Sequence, residues 1–344
     1  MRRTNENQSS GLTSRVPYVK IKKEIQYKER TGKFARKPIM YDIIVIGAGP
    51  AGLTAALYAR RAEKSVLIIE RSTFGGQMTY SPKIENYPGA GTLSGNELAD
   101  KMVEQVLEQA AEIELDTVTA IRDEGEIKRV ITEGGEFEAR AVIIAVGVKH
   151  RQLGLDRENA LVGHGISFCA VCDGAFYRDR TVAVIGGGNS ALQEAILLSE
   201  GCHKVYVIQN LDEFTGEAAL VNKLKARANV EFIMGTVVTE LVGDPELTAI
   251  RIKSNCGQED ELAVDGMFVA IGLIPCNAPF ADVAALNSYG YFDSDETCRT
   301  ESEGIFVAGD CRSKTIRQIT TATADGASAL HIGHLHPWSL NKKR

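Results

Sequence analysis

The sequence predicts an α/β fold built from two three-layer ββα units, and three observations predict it. First, "YDIIVIGAGPAGLTAALYARR" passes from an apolar strand at residues 43–46, through Gly47, Gly49 and Gly52, into a helical stretch. Second, "RTVAVIGGGNSALQEAILLSE" repeats that order, with a strand at residues 182–185 and then Gly186, Gly188 and Ala191. Third, each stretch is followed by another apolar strand that ends 23 positions past the first glycine, at Glu70 in one and Gln209 in the other. Strand, glycine turn, helix and strand in this order make the Rossmann-like dinucleotide-binding arrangement. A chain of 344 residues, 44% hydrophobic, is long enough to bury two such cores.

In the first unit each glycine has a separate reason. Gly47 allows the tight turn, Gly49 lets the backbone approach a pyrophosphate, and Gly52 lets helix and strand pack closely. Pro50 and Ala51 stand between them, where the helix N-terminus offers N–H donors to phosphate. Glu70 ends "SVLIIE" where an acid accepts from a ribose. The second unit keeps Gly186, Gly188, Asn189, Ser190 and Ala191, alanine being tolerated at the third position.

The second unit departs at the end of its second strand. Gln209 replaces the acid, and Asn210, Leu211, Asp212, Glu213, Phe214 and Thr215 follow. An NAD site expects an acid there and an NADP site expects arginine. Gln209 and Asn210 can bond ribose hydroxyls only as neutral groups, more weakly than a charged partner does. The two acids would repel a 2′-phosphate, and the next positive charge in sequence is Lys223.

"GISFCAVCDGAFY" carries Cys169 and Cys172 two residues apart, a spacing that closes and reopens a disulfide. Asp173 follows directly, placed to pass a proton to a departing thiolate. Tetrahedral zinc needs four ligands. Cys202, Cys256, Cys276, Cys298 and Cys311 make no second such pair, and no metal site is expected.

Charge is uneven along the chain. Residues 1–40 carry a net +8 and the remainder −14. The basic stretch lacks periodicity and an apolar core of a secretory signal, so it reads as a disordered extension, with Met40 as the alternative start. No apolar run approaches the ~18 residues that span a bilayer. The overall charge of −6 disfavours nucleic acid as a partner. Seven cysteines with one close pair suit a reducing cytoplasm. The end of the chain, "HLHPWSLNKKR", has no functional reading.

From about residue 41 to 331 the chain closely resembles the low-molecular-weight thioredoxin reductases, FAD-containing disulfide reductases. The resemblance rests on "GAGPAG", "GGQM", "IENYPG", "IIAVG", "CAVCDG", "GGGNSA", "FVAIGLIP", "GIFVAGD" and "RQITTATADGASA", in that order. It implies a FAD-binding domain in two segments, 41–151 and 281–333. A pyridine-nucleotide-type domain, 152–280, is inserted between them and carries the cysteines, with a tail at 334–344. It also implies a homodimer, and an inserted domain that swings between a pose with the dithiol at the flavin and one that exposes it to thioredoxin. Gly47, Gly49 and Gly52 would hold the FAD pyrophosphate and Glu70 the adenosine ribose. Gly75, Gly76, Gln77, Asn86 and Gly147 would line the isoalloxazine. Gly309 and Asp310 would hold the ribityl chain, with Arg317 and Gln318 beside the flavin. Cys172 would face the flavin, Cys169 would attack the partner's disulfide, and Asp173 would be the acid and base.

NADPH-dependent members of the family carry His-Arg-Arg at the positions of Gln209, Asn210 and Leu211, and arginine at Thr215. One arginine–phosphate pair is worth about 1.5–3 kcal/mol. Losing two or three weakens NADPH binding by a factor of roughly a thousand or more. The resemblance therefore implies a thioredoxin-disulfide reductase with NADPH as the family's donor, and with NADH or reduced ferredoxin as alternatives at this departure. A branch of the family that lacks these arginines uses ferredoxin. Two further readings are an oxygen-using dithiol oxidase and a flavin-bearing sensor without enzymatic activity. The retained "CDG" resembles the reductases, and intact Cys169, Cys172 and Asp173 argue against a sensor.

Overall fold

The computed structural model describes residues 40–81 and 83–334, the last four by backbone alone. The expectations for the basic extension at residues 1–39 and for the tail beyond residue 334 lie outside the described residues.

The chain begins with β1 (Met40–Ile46), α1 (Pro50–Arg61), β2 (Val66–Glu70), α2 (Gly95–Glu108) and β3 (Glu112–Leu115). An antiparallel pair, β4 (Val118–Asp123) and β5 (Lys128–Thr132), leads to β6 (Glu136–Ile144). Strand order is β3-β2-β1-β6-β5-β4, with a late strand joining β6. All five residues of β2 and the last four of β1 are buried. Its central strands are covered on both faces, by α1 on one side and by Val118, Ile121, Phe280 and Val283 on the other, so they read as continuous apolar runs. α2 starts at a capping box in which Ser94 and Glu97 bond each other's backbone N–H.

β7 (Val148–His150) then carries the chain out of this sheet. β8 (Ile166–Ser167), α3 (Ala170–Asp173), β9 (Thr181–Ile185), α4 (Asn189–Ser199), β10 (Lys204–Ile208), α5 (Ala218–Lys225) and β11 (Val230–Ile233) follow. The antiparallel strands β12 (Thr236–Val242), β13 (Ala249–Ser254) and β14 (Glu259–Ala263) precede β15 (Gly266–Val269). β8, β9, β10, β11 and β15 form a second, wholly parallel sheet ordered β11-β10-β9-β15-β8. One face packs Val182, Val184, Val207 and Phe268 with Leu192 and Ala195 of α4. The other packs Ala183, Ile185 and Met267 against Ile250 and Ile252 of the antiparallel strands. The layers are therefore β-sheet, β-sheet and helix, as the sequence predicts.

β16 (Leu273–Pro275) runs back antiparallel to β7, pairing His150 with Leu273 and Val148 with Pro275. β17 (Ile305–Val307) rejoins the first sheet beside β6, and α6 (Ile319–His334) packs on α1. A Cβ at Gly326 would sit 2.2 Å from the Ala51 carbonyl oxygen, so only glycine permits this crossing. The second unit is inserted within the first. Among the described residues no helix is long and apolar enough to cross a membrane.

Candidate active site

A cavity of about 750 Å³ opens along the first glycine loop and ends at the cysteines. Gly47 has φ +102°, and a Cβ there would lie 2.5 Å from the Ala145 carbonyl oxygen. Gly52 stands behind the loop, where a Cβ would lie 1.9 Å from the Gly47 oxygen. Gly49, Pro50 and Ala51 line the cavity, and nothing lies within 4 Å of a Cβ built on Gly49. The end of β2 turns Glu70 to the same rim. Its carboxylate accepts the Ala48 N–H at 2.8 Å and the Ser72 N–H at 2.9 Å, which fixes the loops on either side.

Farther along, Gly76, Gln77, Asn86, Gly147, Gly309, Asp310, Arg317 and Gln318 all line the cavity. Gly75 does not. It adopts φ +97° with its α-carbon against Ala99, and its N–H donates to the Ala48 oxygen at 2.8 Å. Its role is to brace the loop. Gln77 donates through Nε2 to the Val148 oxygen, while its Oε1 is buried without a partner. Asn86 donates to Gln318 at 3.3 Å, which joins two lining segments. The Arg317 guanidinium lies 4.3 Å from the Tyr291 ring centroid and donates to the Asp310 carbonyl.

Asp310 follows β17 in a 3₁₀ turn braced by Asp325. Asp325 accepts from Gly309 N–H at 2.9 Å, from two Arg312 nitrogens at 2.8 Å each, and from Lys314 at 2.8 Å. Burial alone would raise Asp325, but the two cations hold its carboxyl below the usual range. Burial pushes Asp310 up, against the pull of Lys314 and Arg317, and its Oδ1 has no partner. The glycine cradle and the unpartnered buried oxygens of Gln77 and Asp310 fit a dinucleotide with a polar, hydroxyl-bearing chain.

At the inner end, Cys169 and Cys172 are joined as a disulfide, their Cα atoms 5.3 Å apart across α3. The Ser167 hydroxyl donates to Asp173 at 2.7 Å and accepts the Cys169 N–H at 3.1 Å. Ser81, from the first unit, donates to the other Asp173 oxygen at 3.2 Å. Burial raises the Asp173 pKa and the two hydroxyls oppose it. Lys83 sits 4.8 Å from the Phe176 ring centroid, another contact between the units. His150 stacks on Phe168 at 4.6 Å, and burial pushes its pKa down to about 4.

The second glycine loop is placed differently. Gly186, Gly188, Asn189 and Ala191 do not line the cavity, and Ser190 does so at the cysteine end. Gln209 is 5% exposed and folds back on its own loop. A Cβ at Gly187 would meet its amide nitrogen at 2.4 Å. Thr215 and Gly216 donate to the Gly187 oxygen at 3.0 and 2.9 Å. Asn189 accepts the Glu217 N–H at 2.7 Å and donates to its carboxylate at 3.0 Å. The Gly187 oxygen and the Asn189 side chain are thus engaged by the segment 215–217.

Three polar residues at the dithiol end were not singled out in the sequence: Ser81, Ser167 and Glu194. Ser81 and Ser167 carry no local signal. Glu194 does carry one, because it shares a helical face with Ser190 and Leu197, whose spacing puts all three toward the cavity.

Comparison with known proteins agrees with this geometry. Residues 41–326 match the family model described as pyridine nucleotide-disulphide oxidoreductase. The thioredoxin reductase of Listeria innocua is 41% identical over 292 residues, covering 84% of this chain and 92% of that one. The crystal structure of the Streptococcus pyogenes thioredoxin reductase matches with TM-score 0.83 at 42% identity, covering 87% of this chain and 98% of that one. The Lactococcus lactis enzyme, in its FR conformation, matches at 39% identity with TM-score 0.60, over 86% and 98% of the two chains.

Proposed function

The chain belongs to the pyridine nucleotide-disulphide oxidoreductase family and is a thioredoxin reductase, and from that premise we propose how its electrons travel. The cavity binds FAD. Gly47, Gly49 and the start of α1 take the pyrophosphate, Glu70 the adenosine ribose, and Asp310 the ribityl chain. Gly76, Gln77, Asn86, Gly147, Arg317 and Gln318 surround the ring end. FAD bound there supplies a two-electron relay between the donor and the disulfide. Cys172 accepts from the flavin side, and Cys169 is released to attack the disulfide of thioredoxin. Asp173 gives a proton to the departing sulfur, aimed by Ser167 and Ser81. In the pose described here the half-buried disulfide lines the cavity, and we take the inserted unit to turn away when a protein partner engages Cys169. The enzyme acts in the cytoplasm as a homodimer.

The donor is one that does not use the second glycine loop, and reduced ferredoxin is our reading. The observation behind it is Gln209, whose side chain fills the space over Gly187, with no lysine or arginine between it and Lys223. The test is anaerobic reduction of the flavoprotein, followed at the flavin absorbance band, with NADPH, NADH and reduced ferredoxin offered separately. Rapid bleaching by ferredoxin alone is expected. Bleaching by micromolar NADPH would restore the family's donor, and bleaching by NADH alone would mean that Gln209 and Asn210 swing out to a ribose.

A further inference from the structure

Glu194 is a buried acid that the scheme above leaves idle. It faces the same cavity as the Cys169–Cys172 disulfide, from the helix packed beside α3. Its carboxyl accepts the N–H of Ala170, the first residue of α3. Its Oε2 is buried without a hydrogen-bond partner. A carboxylate oxygen left bare in such a place is costly, whereas a carboxylic acid is not.

We propose that Glu194 is a positioning residue of the dithiol site: it holds the cysteine turn through Ala170 and keeps the proton with which Asp173 is refilled when the disulfide opens. The proposal rests on the route from flavin to disulfide given above. In that step the S–S bond breaks, two electrons arrive from the reduced flavin, and each sulfur ends with a proton. One proton comes with the electrons and Asp173 gives the other. Glu194 then passes its proton to Asp173 and is left as the carboxylate. It recovers a proton from solvent after the dithiol has handed its electrons and protons to the partner's disulfide.

The surroundings suit this task. Burial pushes Glu194 up to about 8, aided by the charge of Asp173 and opposed by the Ala170 N–H, so at neutral pH it is loaded. Asp173 is the charged group felt at Glu194. The other titratable side chains on elements packed against α4 are Tyr177, after α3, Lys204 and Tyr206 on β10, and Lys223 and Lys225 on α5. Lys204 is paired with Glu231 at 2.7 Å, and the two α5 lysines are exposed.

The test uses the FAD-loaded protein, photoreduced anaerobically by two electrons so that no donor is involved. The fraction of flavin that passes its electrons to the disulfide is read from its absorbance, from about pH 6 to about pH 10. The wild type should show a break near pH 8. Glu194→Gln keeps the acceptor for Ala170 but holds no proton, and it should lose that break. Glu194→Asp, which restores an acid, should regain one. A purely structural Glu194 predicts the same profile for wild type and Glu194→Gln, and that result would overturn the proposal. A wild-type profile with no break near pH 8 would overturn it as well, whatever the variants do. Should the wild type pass no electrons from flavin to disulfide at any pH, the electron route itself fails, which is a different outcome.

Discussion

The two glycine loops of this protein start from nearly the same sequence and end in opposite states. "GAGPAG" opens on a cavity, and Glu70 lines its rim while bracing the loops on either side. In "GGGNSA" the downstream segment packs on Gly187, with Gln209 against it and the backbone of residues 215–216 tied to its oxygen, while Asn189 and Ser190 stay exposed. The glycines alone do not decide what a loop binds. The residue 23 positions on differs in what it touches: Glu70 accepts N–H groups on either side of its loop, and Gln209 packs on Gly187. The second unit also carries Cys169, Cys172 and Asp173.

The largest expected effect concerns those residues. Cys172→Ser should reduce thioredoxin turnover to background while the flavin still accepts electrons from its donor, since the sulfur that takes electrons from the flavin side is lost and the cradle is untouched. Retained turnover would move the dithiol out of the route. Next in size is the triple change Asn210→Arg, Leu211→Arg and Thr215→Arg. If the missing cations are what separates the two loops, NADPH affinity should rise by about a thousandfold, read from flavin bleaching. No gain would place the obstacle in the packed backbone of residues 212–217.

A paired substitution sharpens the comparison further. Gly49 and Gly188 have ordinary φ values, −78° and −85°, and both leave room for a methyl group. Alanine at either should leave folding intact. Gly49→Ala should weaken FAD retention by about ten- to a hundredfold, because the cofactor's backbone contact is lost. Gly188→Ala should leave flavin content and turnover unchanged. Equal effects would mean that both loops hold a nucleotide.

The last effect is on stability. The Glu194 pKa is raised from 4.5 to about 8 in the folded protein, so ionising it there is penalised. That penalty is absent below pH 4.5, grows with rising pH, and is complete above about pH 8. Glu194→Gln should therefore gain on the wild type as pH climbs through this window, by on the order of a few kcal/mol, and hold that lead at higher pH. Thermal melts across the range would check it. A gap that shrinks with rising pH would contradict the assignment.

Much of this was legible in the sequence, for physical reasons that also explain the gaps. β1, β2, β9 and β10 announce themselves because the central residues of parallel strands buried on both faces are apolar, with polar residues kept near the ends. The cysteine pair is legible because its chemistry needs a fixed local spacing. Gly75 shows what a motif leaves out: its positive φ and the closeness of Ala99, which bar any side chain there, are set by α2 packing on the loop. Ser81 could not have been found, because its partner Asp173 is 92 residues away and only the cavity brings them together. Gln209 was flagged as a departure, but its inward turn depends on the missing Cβ of Gly187, a contact that no spacing rule encodes.

The ribbon of β7 and β16 has a consequence for shortening the chain. His150 and Leu273 are direct neighbours, so the whole second unit leaves and returns through one pair of adjacent strands. The unit could therefore be removed at that single point: replacing residues 151–272 with a two-residue Asn-Gly turn would leave β7 and β16 as the arms of one hairpin and every strand of the first sheet in sequence.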